Sequence, residues 1–203
     1  MTAIRLLLAD DQALIRGALV ALLSLEPDID VVVEVERGDE VLDAVRRHPV
    51  DVALLDLEMP GMNGIEVVAE LAEAAPSVRC LIVTTFGRPG YLRRALDAGA
   101  AGFVVKDTPA SELVDAVRRV NAGLRVVDPE LATESLIAGT NPLSQREQEV
   151  LARALTGVPV AEIARLLALT AGTVRNYLST ATAKTHARSS AEAAVIARDR
   201  GWL

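Results

Sequence analysis

The stretch VDVALLDLEMPGMNG, residues 50–64, constrains the chain more than any other. Residues 52–55 are an uninterrupted apolar run, and the run ends on a carboxylate, Asp56. A strand in a parallel sheet reads this way, because helices cover both of its faces and neither meets water. Pro60, Gly61, Asn63 and Gly64 then cluster as turn formers, and a helical pattern restarts at Ile65. One aspartate is thereby set at the carboxyl end of a central strand, facing a loop. In open α/β sheets that rim is where ligands bind.

The flanking sequence repeats the same rhythm. Residues 4–9 form an apolar strand ending in Asp10 and Asp11, and Leu14, Ala18, Leu22 and Leu25 then recur at helical spacing. A second strand over 30–35 precedes a helix over 40–47, closed before Pro49. A third helix spans 64–75, and a strand over 80–83 ends in Thr84 and Thr85. A helix over 90–98 stops at Gly99, a strand over 103–105 ends at Lys106, and a last helix runs from near Pro109 to Asn121. Five βα units predict a doubly wound, flavodoxin-like, five-stranded parallel sheet over residues 1–121. Four of the strands end in reactive side chains: Asp10 and Asp11, Asp56, Thr84 and Lys106.

Taken singly, these residues have ordinary roles: helix cap, strand-end hydroxyl, solvated charge. Their convergence on one rim argues for a site. Clustered carboxylates raise each other's pKa unless a cation sits among them. Oxygen ligands of this kind suit Mg²⁺ or Mn²⁺. A carboxylate beside such an ion can attack phosphorus and form an aspartyl-phosphate. Lys106 would supply a point charge for the phosphoryl group and Thr84 a hydrogen bond. No general base for a substrate accompanies them, so the set reads as a switch. The single cysteine, Cys80, lies in an apolar run, which excludes a disulfide framework and a metal–thiolate cluster. With no signal-peptide pattern and no apolar run long enough to span a membrane, a cytoplasmic protein without membrane insertion is expected.

LLLADDQALIR, ALLDLEMPGMNG, LIVTTF and GFVVKD together resemble the receiver domain of two-component response regulators. The resemblance implies that Asp56 is the phosphoacceptor. It implies Mg²⁺ held by Asp11 and Asp56, by Asp10 through water, and by the main-chain carbonyl of Glu58. It further implies that Thr84 and Phe103 form a switch pair, hydroxyl and ring moving together. Many receivers have proline after the lysine; here Asp107 follows Lys106, as is usual in the subfamily named below.

Past Gly123 the βα rhythm stops. Residues 122–140 are read as a linker carrying a short helix after Pro129, with AGTNP as a turn. The charge changes sign here too. Residues 1–128 hold 13 basic against 21 acidic side chains, and residues 141–203 hold 8 basic against 5 acidic. An acidic front and a basic tail suggest two domains, the second with a polyanionic partner.

Residues 141–203 read as a small all-α domain. Ser144 and Glu147 form a capping box, Gly157 ends that helix, and Pro159 starts the next. A tight turn at Leu169 and Thr170 leads into AGTVRNYLSTATAK, which suits a helix-turn-helix. Arg175 and Asn176 are suited to base edges, Ser179 and Lys184 to phosphates. The last helix is apolar through Ala194, Val195 and Ala197, for packing in its own domain or for a dimer contact. LSQREQEVL, AEIARLLAL and TAGTVRNYLSTATAK resemble the LuxR/GerE-type helix-turn-helix. Thr173, Arg175, Asn176, Ser179 and Lys184 are then the expected DNA-binding set. Thr185 and His186 stand where leucine and glycine are usual, and Tyr177 where histidine is common.

A receiver joined to this domain is the plan of the NarL/FixJ family; TTFGRPGYLRRA and RDRGWL are further similar to its DesR-like subgroup. The resemblance implies a transcription factor switched by a sensor histidine kinase. Its partners would be promoter DNA, RNA polymerase and a second copy of the chain. Two rivals explain less. A phosphohydrolase with Glu58 as acid/base leaves residues 141–203 unexplained. A phosphorylation-independent regulator with a scaffold receiver would be expected to have lost Asp11, Asp56, Thr84 or Lys106, and none is lost.

Overall fold

The computed structural model describes residues 3–85, 89–138 and 141–203; part of the TTFGRPG stretch and two residues of the AGTNP turn lie outside them. The chain divides into two compact units, one mostly of residues before 133 and one mostly of residues from 133 on.

The first unit alternates β1 (Ile4–Ala9), α1 (Ala13–Leu23), β2 (Ile29–Val35), α2 (Val41–Arg47), β3 (Val52–Asp56), α3 (Gly64–Ala74), β4 (Arg79–Thr84), α4 (Pro89–Ala98), β5 (Gly102–Val105) and α5 (Ala110–Asn121). All strand pairs are parallel, in the order β2-β1-β3-β4-β5, with one further strand beyond β5. The winding reverses between β1 and β3, the neighbours that begin the two halves, so a crevice opens beside their carboxyl ends. Every residue of β3 is buried, as its unbroken apolar run requires.

The sheet has six strands where the sequence pattern predicts five. β6 (Val126–Val127) pairs with β5 inside the stretch read as linker. Two residues are too few to show a period. Gly102 lets β6 close in, since a Cβ there would lie 2.9 Å from the Val126 carbonyl oxygen. The helix expected after Pro129 is α6 (Pro129–Ala138).

Helix α1 also departs from its sequence reading. Leu14, Ala18 and Leu25 face solvent, with Leu14 87% exposed. Leu19, Val20, Leu22 and Leu23 pack on the sheet instead. A helix apolar all round carries no signal for which side is buried. At α3 the local chemistry is clearer. Asn63 and Glu66 form a reciprocal capping box, which ends the loop after β3 at a defined residue.

The second unit comprises α7 (Gln145–Leu155), α8 (Val160–Leu166), α9 (Ala171–Lys184) and α10 (Ser190–Asp199). Its core joins Val150, Leu151, Ile163, Val174, Leu178 and Trp202. The Ser144–Glu147 capping box is present. In α10 Ala193, Ala194 and Ala197 are buried in this core while Val195 is exposed, so the helix packs within its own domain. Tyr177, partly buried, also packs against that core.

Helices α8 and α9 both close with a left-handed residue that is not glycine: Ala168 and His186, each at φ 54°. Behind His186 the Ala187 amide donates to the Thr182 carbonyl at 3.1 Å, and the His186 amide to Ala183 at 3.2 Å. That is a Schellman closure, in which a side chain on the left-handed residue costs about 1–2 kcal/mol. His186→Gly is therefore expected to raise the unfolding free energy by about 0.5–1 kcal/mol after the added backbone entropy of glycine is subtracted. Urea titration of the two proteins reads this as a higher midpoint at unchanged slope; an unchanged or lower midpoint would show that the histidine is not strained.

Candidate functional site

The carboxyl ends of β1, β3, β4 and β5 converge. Asp10, Asp56 and Thr84 are buried, while Asp11 lies exposed at the mouth. Lys106 follows β5 and turns its ammonium inward, 2.7 Å from Asp10 Oδ2 and 3.1 Å from Asp56 Oδ2. The ammonium is thus shared between the two carboxylates, and it is a point charge on a flexible stem that can turn to another anionic oxygen. Asp10, Asp11 and Asp56 each offer a carboxylate oxygen within 4.8 Å of the others. Three hard oxygen donors so close, two of them buried, fit a small divalent cation such as Mg²⁺ or Mn²⁺. Phe103 is fully buried in β5, and the Glu58 side chain is exposed beside the loop.

Backbone groups hold these side chains in place. Asp56 Oδ1 accepts from the Leu57 amide at 2.8 Å, and Asp10 Oδ1 from the Gln12 amide at 2.9 Å. Asp10 thus turns the chain into α1 without capping it, because Gln12 is the N-cap residue. Gly64 sits where any Cβ would collide with the Asp56 carbonyl oxygen, which is why the loop returns on a glycine. The Lys106 amide donates to the Thr84 carbonyl at 2.7 Å, tying the ends of β4 and β5 together.

Sequence reasoning missed Arg16. Its Nη1 donates to the Asp10 carbonyl at 2.7 Å, and its other nitrogens pair with Glu34 at 3.6 Å and Glu36 at 2.5 Å. The acidic loop is thereby clamped to the end of β2. An arginine one turn into a helix is ordinary in sequence, and its carboxylate partners lie in and just after β2, as far as 20 residues away, so no local signal marked it.

In the second unit, α9 presents Arg175, Asn176 and Ser179 to solvent, opposite the buried Val174, Leu178 and Ala181. Thr173 is drawn into the helix cap: its amide donates to Thr170 Oγ1 at 3.1 Å, and the two hydroxyls lie 2.9 Å apart. Lys184 is placed differently from the other candidates, with its ammonium 2.8 Å from the buried carboxylate of Glu147.

The fold and this rim define a class: an α/β domain with a carboxylate–lysine pocket, followed by a helix-turn-helix. Comparison with known proteins narrows it. Residues 6–118 match the response regulator receiver domain, and residues 141–197 match the bacterial regulatory proteins of the luxR family. The chain belongs to the NarL/FixJ family of two-component response regulators, with a receiver and a LuxR-type DNA-binding domain. It is 42% identical over 200 residues to the uncharacterized transcriptional regulatory protein YvfU of Bacillus subtilis, covering 98% of this chain and 100% of that one. It is 41% identical over 200 residues to the transcriptional regulatory protein DesR of the same organism, covering 98% and 99%. The crystal structure of the response regulator ChrA of a heme-sensing two-component system superposes with a TM-score of 0.60 at 30% identity, covering all of both chains. No helix among the described residues is long and apolar enough to cross a membrane.

Burial pushes the pKa of Asp56 up from the ordinary carboxylate range; Lys106 pulls it down and Asp10 adds repulsion, and burial wins. A carboxylate whose pKa is higher folded than unfolded binds its proton more tightly in the folded state. Stability therefore falls as pH rises from the ordinary carboxylate value through the raised one. In chelator at neutral pH, Asp56→Asn is expected to melt at a higher temperature than the wild type, the gap closing as pH is lowered through that window. A variant that melts lower at neutral pH would show that pairing with Lys106 outweighs burial.

Proposed function

We propose that this regulator is switched by phosphorylation of Asp56. The observation that carries the reading is the Lys106 ammonium lodged between Asp10 and Asp56, with Asp11 completing an oxygen cluster at the mouth. An Asp56 carboxylate oxygen attacks the phosphorus of a phosphohistidine on a sensor histidine kinase. The P–N bond breaks as the acyl-phosphate O–P bond forms, and the imidazole leaves with the electron pair. Asp11, Asp56 and the Glu58 carbonyl, with Asp10 through water, would hold a divalent cation, which would supply positive charge to the phosphoryl oxygens.

The residues of this chain do the rest. The phosphoryl group adds about −1.5 to −2 charges to a buried rim. Lys106 leaves Asp10 for the new oxygens, and the Thr84 hydroxyl donates to them. The Thr84 shift and the packed ring of Phe103 bias a two-state surface around α4 and β5. That surface favours a homodimer, which sets two α9 helices about 34 Å apart on one face of promoter DNA. Arg175 and Asn176 read base edges there and Ser179 faces the phosphates, with Thr173 at the start of the helix. RNA polymerase is the further partner at the bound promoter. The domains are divided as a receiver over 1–121, a linker over 122–140 that lends β6 to the receiver sheet, and a DNA-binding domain over 141–203, in a cytoplasmic protein whose role is regulatory and not metabolic.

The test compares wild type with Asp56→Ala before and after acetyl phosphate or beryllofluoride with Mg²⁺. The reading expects doubled solution mass and tighter binding to promoter DNA for modified wild type only. Equal binding by both proteins under all conditions would make the receiver a scaffold. In the same assay, Arg175→Ala and Asn176→Ala are each expected to weaken binding by about 1–3 kcal/mol and to relax preference at one base pair; unchanged affinity and preference would remove that residue from the reading surface.

A further inference from the structure

Lys184 looks from sequence like one more phosphate contact on the recognition helix, yet its surroundings are unlike those of the other candidates. The partner it holds, Glu147, is a buried acid: its residue is only 4% exposed. Glu147 Oε2 accepts from the Ser144 amide at 2.6 Å and from Lys184 Nζ at 2.8 Å. Burial pushes the Glu147 carboxyl up, and Lys184 with the two Ser144 contacts more than reverses this, holding it below the ordinary glutamate value. The carboxylate is therefore charged at neutral pH, and it needs a cation beside it.

Helix geometry separates Lys184 from the reading surface. At about 100° per residue, Lys184 lies about 180° around α9 from Arg175 and about 140° from Ser179. Asn176 is nearer in angle, at about 80°. Along the axis Lys184 is about 14 Å beyond Arg175, in the last turn, whereas helices of this kind read bases with their first turns. The next residue, Thr185, is buried and donates its hydroxyl to the Ala181 carbonyl at 2.8 Å. The end of α9 is thus anchored twice, once to its own backbone and once to the start of α7.

We propose that Lys184 is a positioning residue, which fixes the far end of the recognition helix through Glu147 and makes no contact with the DNA backbone. The inference rests on the reading of α9 as the DNA-reading helix. The bridge spans 37 positions of sequence and joins the N-terminus of α7 to the C-terminus of α9. It sets the tilt at which Arg175 and Asn176 are offered, and it acts on affinity only through that tilt.

The two roles differ in their response to salt. A lysine on a phosphate releases a counterion, and its loss lowers the slope of log affinity against log salt by about 0.9. A positioning lysine leaves the slope alone. The full-length protein, with beryllofluoride and Mg²⁺, is titrated by fluorescence anisotropy across a KCl series. The probe is a duplex that the wild type has enriched from a random pool. The variants are Lys184→Met, Glu147→Gln and the double variant, with thermal melting of each.

The expected result is that Lys184→Met melts lower and binds several-fold more weakly at wild-type slope. The double variant, which buries no unpaired charge, recovers most of the affinity at the same slope. A slope lowered by about 0.9 for Lys184→Met and for the double variant, with no recovery of affinity, overturns the proposal. If Lys184→Met does not fold, Glu147→Gln against the double variant makes the same comparison, because those proteins differ only at Lys184. If the wild type enriches no duplex, the DNA-reading assignment of α9 fails, and the inference falls with it; a changed slope alone leaves that assignment standing.

Discussion

The rim of the sheet depends on one ammonium group. Lys106 sits 2.7 Å from Asp10 and 3.1 Å from Asp56, in a place where its side chain is only 7% exposed. Two carboxylates and no cation would be strongly repulsive there; a cation and no carboxylates would be expelled. The three groups come from the ends of three strands, so their balance requires β1, β3 and β5 to keep register. The Lys106 amide, donating to the Thr84 carbonyl, ties β5 to β4 there, and the Leu57 amide fixes the Asp56 carboxylate at the point where the charges meet.

A buried charge cluster held in this way is stable in one protonation and ligation state and ready to rearrange in another. Negative charge added at Asp56 would compete with Asp10 for the Lys106 ammonium. The strand ends would carry the consequence, because they are packed and hydrogen-bonded to one another and a packed core moves between discrete arrangements instead of deforming smoothly. Arg16 belongs to the same economy of charge. By holding the Asp10 carbonyl and both Glu34 and Glu36, it keeps the acidic loop from spreading away from the pocket.

The second unit solves a different problem, the fixing of one helix with few residues. Helix α9 is capped at its start by Thr170 and tied at its end by Glu147, Thr185 and a left-handed His186. Its buried stripe of Val174, Leu178 and Ala181 faces a core closed by Trp202. Small side chains on both α9 and α10 let the helices approach, and a small domain with a modest core depends on such end contacts for its precision.

The alternation of strand and helix, and the four strand ends that carry chemistry, were legible because they are local. An apolar run that stops on a carboxylate and is followed by Pro, Gly and Asn leaves the backbone few alternatives. The Ser144–Glu147 box was legible for the same reason, and the Asn63–Glu66 box was equally present as a pattern, although unread. What local pattern could not supply was decided by packing. Helix α1 is apolar around its whole circumference, and only the sheet beneath it selected Leu19, Val20, Leu22 and Leu23 over Leu14 and Leu25. The two residues of β6 became a strand only because β5 offered an open edge and Gly102 left room. Arg16 and Lys184 took partners far away in sequence, whose distances no periodicity encodes. The chain by itself determined which elements form and which rim carries the carboxylates and the lysine. The tertiary structure decided which faces are buried and which charges are paired, because burial and ion pairing depend on atoms that the sequence brings together only after the chain has folded.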